Sequence, residues 1–179
     1  DASSSITIGI PQDIEDSLDP HEMLAAGTKE IFFNVYEGLY TTDVDGNIVP
    51  AVASDVMISE DGCKYTFTLR EGVKFHDGNP VTAEDVAYSV AKFADIEGGN
   101  PSIAAFSNIT DVTVKDAATV EITLAEPDSD LLALLASIEA AIIPKSNPDP
   151  SQNAIGTGAY RYVSRSPLEN VKMERFEEY

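Results

Sequence analysis

The residues able to carry chemistry are few. His21 and His76 are the only histidines, and each precedes an acid, Glu22 and Asp77. Such pairs could serve acid–base work or hold a metal. Adjacent residues in a turn seldom converge on one ion, however, and a metal site using both histidines requires the fold to bring them together. His76 is therefore expected as a solvated turn residue. Gly156-Thr157-Gly158 lacks the Gly-Lys-Ser/Thr ending of a phosphate loop, and no Gly-x-Ser-x-Gly elbow occurs. Paired carboxylates are plentiful, but none is flanked by the apolar residues that would raise a pKa. Cys63 is the single cysteine. It excludes an internal disulfide and reads as a small core residue rather than a nucleophile. These residues predict no catalytic site, no metal and no cofactor.

Composition narrows the partners. With 11 Lys and Arg against 31 Asp and Glu, the net charge is −20. That field repels phosphate backbones and argues against nucleic acid and anionic membrane surfaces as partners. A solubilising surface is the simplest account, with adaptation to salt as the alternative. A chain of 179 residues buries a sizeable core in one or two domains. Its longest apolar run, Leu131 to Pro144, falls short of a membrane span and contains Ser137 and Glu139.

The elements that must position these residues centre on Ala53 to Phe93. Tyr65, Phe67 and Leu69 alternate with Lys64, Thr66, Thr68 and Arg70, the period of a sheet with one buried face. Glu60-Asp61-Gly62 supplies a turn before that strand. Val73 and Phe75 continue the alternation, with Arg70 and Lys74 outward. A turn at His76 to Pro80 leads to a helix capped by Thr82, with Glu84 and Asp85 at its positive end. Val86, Val90 and Phe93 form its apolar face, and Val81 opposite Val86 forms a hydrophobic staple. Further strands are expected at Ile6–Ile10, Val112–Lys115, Val120–Leu124, Tyr160–Val163 and Val171–Arg175. Helices are expected at Glu30–Leu39 and from Asp128 or Ser129 to Ser137. Tyr65, Phe67, Phe75, Tyr88 and Phe106 are expected in the core.

The run "EDGCKYTFTLREGVKFHDGNPVTAEDVAYSV" resembles the signature of solute-binding protein family 5, the large extracytoplasmic binding proteins of peptide and nickel ABC importers. "LDP" at Leu18–Pro20, "VYEGLYTTDVDGNIVPAVASD", the "GTGPY"-like Gly156–Tyr160 and the "ERNxxYW"-like end agree in order, with Ala159 replacing the usual Pro. The resemblance spans essentially the whole chain. It implies a mixed α/β fold of the type II periplasmic-binding-protein kind. The chain would be the N-terminal lobe portion with an inserted α/β subdomain: residues 1–48 and 151–179 in the ligand-binding lobe, and 49–150 inserted. Members are much longer, so a truncated two-lobed protein is expected. The start at Asp-Ala-Ser-Ser-Ser fits a removed signal or lipid anchor and a periplasmic or cell-surface location.

The function implied is capture of a short peptide, or of a nickel chelate or other small solute, for delivery to the membrane permease of an ABC transporter. A monomer without a cofactor is expected. By position, the resemblance places ligand on Met23, Leu24, Ala25, Ala26, Gly27 and Thr28. Small residues there suit main-chain hydrogen bonding to an extended peptide. The other reading of Ala25–Thr28 is a plain loop before a helix. A second wall is expected at Pro101, Ser102, Ile103 and Phe106, although Phe106 reads first as core. An enzyme, or a structural or partner-binding domain, remain the alternative classes.

Overall fold

The computed structural model describes residues 7–10, 12–14 and 17–179. In chain order they form α1 (Ala26–Phe32), β1 (Tyr40–Thr42), β2 (Ile48–Pro50), β3 (Ala53–Ile58), β4 (Lys64–Leu69), α2 (Ala83–Phe93), β5 (Ile109–Asp116), β6 (Thr119–Leu124), α3 (Leu131–Leu134), β7 (Tyr160–Ser166) and β8 (Asn170–Arg175). Antiparallel β3, β4, β6 and β5 lie in that order in one sheet, and β1–β2 and β7–β8 are separate hairpins.

The alternation along β4 does what its period requires. Tyr65, Phe67 and Leu69 are buried, as are Val120, Ile122 and Leu124 of β6. α2 packs on β5 and β6 and adds Val86, Val90 and Phe93 to the same core. Each such side chain, fully buried, contributes about 1.5–3 kcal/mol of transfer free energy. The start of α2 is a complete capping box. Thr82 Oγ1 accepts the Asp85 N–H (3.2 Å), and Asp85 Oδ2 accepts the Thr82 N–H (2.9 Å). Loss of the hydroxyl in Thr82→Ala is expected to lower stability by about 1–2 kcal/mol. Urea unfolding checks this, with Thr82→Ser, which keeps the hydroxyl, retaining most of the wild-type stability.

Several expected elements differ. Ile6 lies outside the described residues, and Thr7–Ile10 join no sheet; Ile8 and Ile10 are exposed. Val73–Phe75 does not make a second strand, only an isolated bridge between Lys74 and Pro80, because the chain turns back through Gly78 (φ +86°). α1 begins earlier and stops at Phe32. The carbonyls of Asn34 and Val35, which a longer helix would use, accept the N–H groups of Tyr160 (3.0 Å) and Gly158 (2.9 Å). α3 is one turn long, because Asp128 spends its carboxylate on the Asp130 N–H (2.8 Å) and Asp130 gives no side-chain cap.

The apolar side chains form two clusters. One joins the four-stranded sheet, α2, Phe75 and Phe106. The other joins Ile14, Leu18, Met23, Phe32, Val35 and Tyr36, with Tyr162, Val171 and Met173 of the β7–β8 hairpin against it. The piece Ala140–Ile143, which leaves a 3-10 turn (Ile138–Ala140) and runs extended from Ala141, ties them together. Ala140 and Ile142 point into the first cluster, Ala141 and Ile143 into the second. Tyr88, expected as core, is only partly buried and packs at the second cluster.

Candidate functional site

The segment before α1 is bolted down at its base. Asp19 is buried; its Oδ1 accepts the His21 N–H (3.0 Å), and its Oδ2 is ion-paired with Lys92 of α2. The Tyr36 hydroxyl donates to the Leu18 carbonyl (2.9 Å), and the Leu18 N–H donates to Ser151 (2.8 Å). The His21 ring meets Phe93 edge-on at 5.5 Å, and its Nε2 lies 2.8 Å from the Ala141 carbonyl. Because that carbonyl can only accept, Nε2 is the protonated, donating nitrogen of a neutral ring. Burial and the nearby Lys92 ammonium lower the His21 pKa to about 4.

From this base the expected ligand residues alternate in exposure. Met23 and Thr28 are buried, Leu24 is 73% exposed, Ala25 is half-buried, and Ala26 and Gly27 are exposed. Met23 and Thr28 therefore anchor the segment, and Leu24 to Gly27 form its outer surface. Lys29 is ion-paired with Glu139, which pins the following helix. Beside His21 lies a cleft of about 180 Å³, lined by Glu22, by Lys92 and Asp95 at the end of α2, and by Asn100 and Ser102. Ser102 thus shares a wall with the His21 corner, whereas Ile103 packs toward the first core. Asp95 shapes the loop, accepting the N–H groups of Gly98 (3.3 Å) and Asn100 (3.0 Å).

His76 is not a solvated turn residue. Its N–H donates to the Gly156 carbonyl (3.0 Å), its Nδ1 accepts the Gly156 N–H (3.3 Å), and its Nε2 lies 2.8 Å from the Gly158 carbonyl. Its ring meets Phe176 at 4.9 Å. Asp77 instead serves its own turn, accepting from Asn79 (3.0 and 2.9 Å), so the pair does not converge. Thr157 donates to Glu37 (3.2 Å), as does the Tyr179 hydroxyl (3.1 Å). Burial raises the Glu37 carboxyl, and its hydrogen-bond partners come from a distant part of the chain. Cys63 is half-buried in the turn before β4 rather than in the core. Among the described residues no group of three or more His, Cys, Asp or Glu is placed to hold a metal, and no helix is long and apolar enough to cross a membrane.

Both histidines are held neutral by burial, His76 also shifting downward. A folded-state pKa below the unfolded value means that the unfolded chain binds more protons in acid. Their contribution is complete above about pH 6.5 and is lost as pH falls. For His21 the window runs from 6.5 to about 4, a difference worth roughly 3 kcal/mol. Melting temperature is expected to drop between pH 7 and 5; a flat profile there contradicts the buried histidines.

Sequence reasoning missed Asp19, Lys92, Ser89 and Glu37. Ser89 accepts the Ile143 N–H (2.9 Å) and holds the piece that joins the cores. Nothing local distinguishes these residues, since their partners lie 54 to 120 positions away. The arrangement offers supported main chain and a polar cleft, a binding geometry. The architecture is mixed α/β, of the type II periplasmic-binding-protein kind. The chain belongs to the bacterial extracellular solute-binding proteins, family 5, whose middle-region model matches residues 47–179. It is similar to the glutathione-binding protein GsiB of Salmonella typhi (30% identical over 168 residues, 91% of this chain and 33% of the relative). It is similar also to the periplasmic oligopeptide-binding protein OppA of Salmonella typhimurium (32% over 187 residues, 91% and 34%). The murein tripeptide binding protein MppA of Escherichia coli superposes with a TM-score of 0.81 at 30% identity, covering 94% of this chain and 37% of that one. The chain thus spans about a third of the length of these relatives.

Proposed function

We propose that this chain is part of an extracytoplasmic solute-binding protein that captures a short peptide and passes it to the permease of an ABC importer. The observation that carries the reading is the exposed stretch Leu24–Gly27 on a base fixed by Asp19, His21, Met23 and Thr28. A rigid support lets main chain meet an extended ligand without first being ordered, which lowers the cost of binding. Relatives named for glutathione and oligopeptide binding favour a peptide over other solutes. In this reading residues 1–48 and 151–179 belong to the ligand-binding lobe and 49–150 to an inserted subdomain. Ser102 stands on a second wall. The protein acts outside the cytoplasm, as a monomer, without catalysis.

A thermal-shift screen of the whole protein against di-, tri- and oligopeptides, glutathione and nickel chelates tests this. A peptide at a hundredfold excess over its dissociation constant stabilises by about 2.7 kcal/mol. Leu24→Asp is expected to weaken that ligand at least tenfold while leaving the unliganded melting temperature unchanged, because the side chain is mostly in water. The 179-residue chain alone is expected to bind weakly or not at all. No response to any solute class would move the reading to a structural or partner-binding domain.

A further inference from the structure

We propose that His21 is a proton-operated latch on the Met23–Thr28 segment, closed when neutral and turned out into the neighbouring cleft when protonated. The structure holds the closed state. The ring is 5% exposed, Nε2 is bonded to the Ala141 carbonyl at 2.8 Å, and one edge rests on Phe93. Nδ1 is buried with no hydrogen-bond partner among the described residues. A second proton would sit on that nitrogen. The nearest carboxylate oxygen, Asp19 Oδ1, is 4.0 Å away and already accepts the His21 N–H, while Oδ2 is held by Lys92. Protonation therefore buries a cation beside the Lys92 ammonium with one carboxylate, already engaged, between them. A buried charge without its own partner is strongly destabilising.

The open state has a destination. The cleft next to the ring has room for an imidazole, and its walls include Glu22 and Asp95. An imidazolium there regains water and faces two carboxylates. The groups acting on the closed ring are Asp19 from its own segment and Lys92 from α2. Tyr36 and Tyr88 are coupled to Asp19, and Asp149 to Lys92. None of these last three offers Nδ1 an acceptor in the structure. Turning the ring out frees the Ala141 carbonyl and loosens the anchor at Met23, two residues on. Acid would then mobilise the outer stretch Leu24–Gly27. That this stretch carries ligand rests on the proposed function; the latch needs no ligand.

The test is amide hydrogen exchange on the ligand-free 179-residue chain from pH 7.5 to 3.5, corrected for intrinsic rates, with the two imidazoles followed by NMR. Residues 18–28 are expected to lose at least tenfold protection as His21 titrates, while β4 and β6 keep theirs. Lys92→Met removes the competing cation and should move both midpoints to higher pH. His21→Asn, which cannot take the proton, should make protection of this segment independent of pH. Protection that stays unchanged through the His21 titration overturns the latch in the wild-type chain alone, whatever the variants do. So does loss at the same pH in His21→Asn. Either result leaves the peptide-binding reading standing, because no ligand is present.

Discussion

Gly156→Ala is expected to cost about 3 kcal/mol, the upper part of the range for overpacking a filled interior. A methyl group at Gly156 would sit 2.2 Å from the Val35 carbonyl oxygen and 2.8 Å from Tyr36 Cδ1. Neither neighbour can yield cheaply. The Val35 carbonyl already accepts the Gly158 N–H (2.9 Å), and Tyr36 is fully buried with its hydroxyl on Leu18. Gly156 itself is gripped at both its N–H and its carbonyl by His76. A loss of that size lowers the melting temperature by roughly 6–12 °C in a domain of this length. Gly27→Ala is the control. No atom lies within 4 Å of its added methyl group, and the position is helical, so a gain of about 0.5–1 kcal/mol is expected. If Gly156→Ala melts within 2 °C of wild type, the return segment does not pack on Asn34–Tyr36 as described.

That pair of glycines shows where sequence is informative and where it stops. Gly-Thr-Gly was legible as something other than a phosphate loop, but its role was not. Glycine is required because two backbones touch, and the second backbone is about 120 residues away in the chain. The central stretch was readable for the opposite reason. β4, its preceding turn and the capped start of α2 are each set by residues within a few positions of one another. α1 fell between these cases. The apolar positions Val35, Tyr36 and Leu39 are buried as a helical face would be, yet the backbone leaves the helix to meet Gly158 and Tyr160. Hydrophobic period reports burial and says nothing of which carbonyl a distant N–H will claim. His76 follows the same principle: the turn residues beside it are exposed, and only the folded chain supplies Gly156, Gly158 and Phe176. The ligand segment Met23–Thr28 was marked by resemblance. What distinguishes Met23 and Thr28 as anchors from Leu24 as surface is tertiary packing.

The largest loss should follow Phe67→Ala, about 3–5 kcal/mol from transfer and cavity together. Phe67 is fully buried at the middle of β4, between Val56 of β3 and Val120 of β6 in register. Its ring stacks with Tyr65 at 6.3 Å and meets Tyr40 edge-on at 6.2 Å. The surrounding atoms belong to paired strands on both sides and cannot collapse into the space, which puts the cost in the upper part of that range. Thr68→Ala, on the outward face of the same strand, should stay within about 0.5 kcal/mol of wild type. The manner of unfolding is the sharper outcome. Ala140–Ile143 feeds alternate side chains into the two cores, and its main chain is tied to Glu37 (2.9 Å), His21 (2.8 Å) and Ser89 (2.9 Å). Damage in the first core should therefore pull down the second, and urea unfolding should remain a single transition with the near-ultraviolet signal of the tyrosines and the far-ultraviolet signal coincident. Two separated transitions in Phe67→Ala would mean that the cores are independent and that the piece at 140–143 only passes between them. A single transition would mean that the segment carrying Leu24, anchored in the second core, is held in place partly by the sheet of the first.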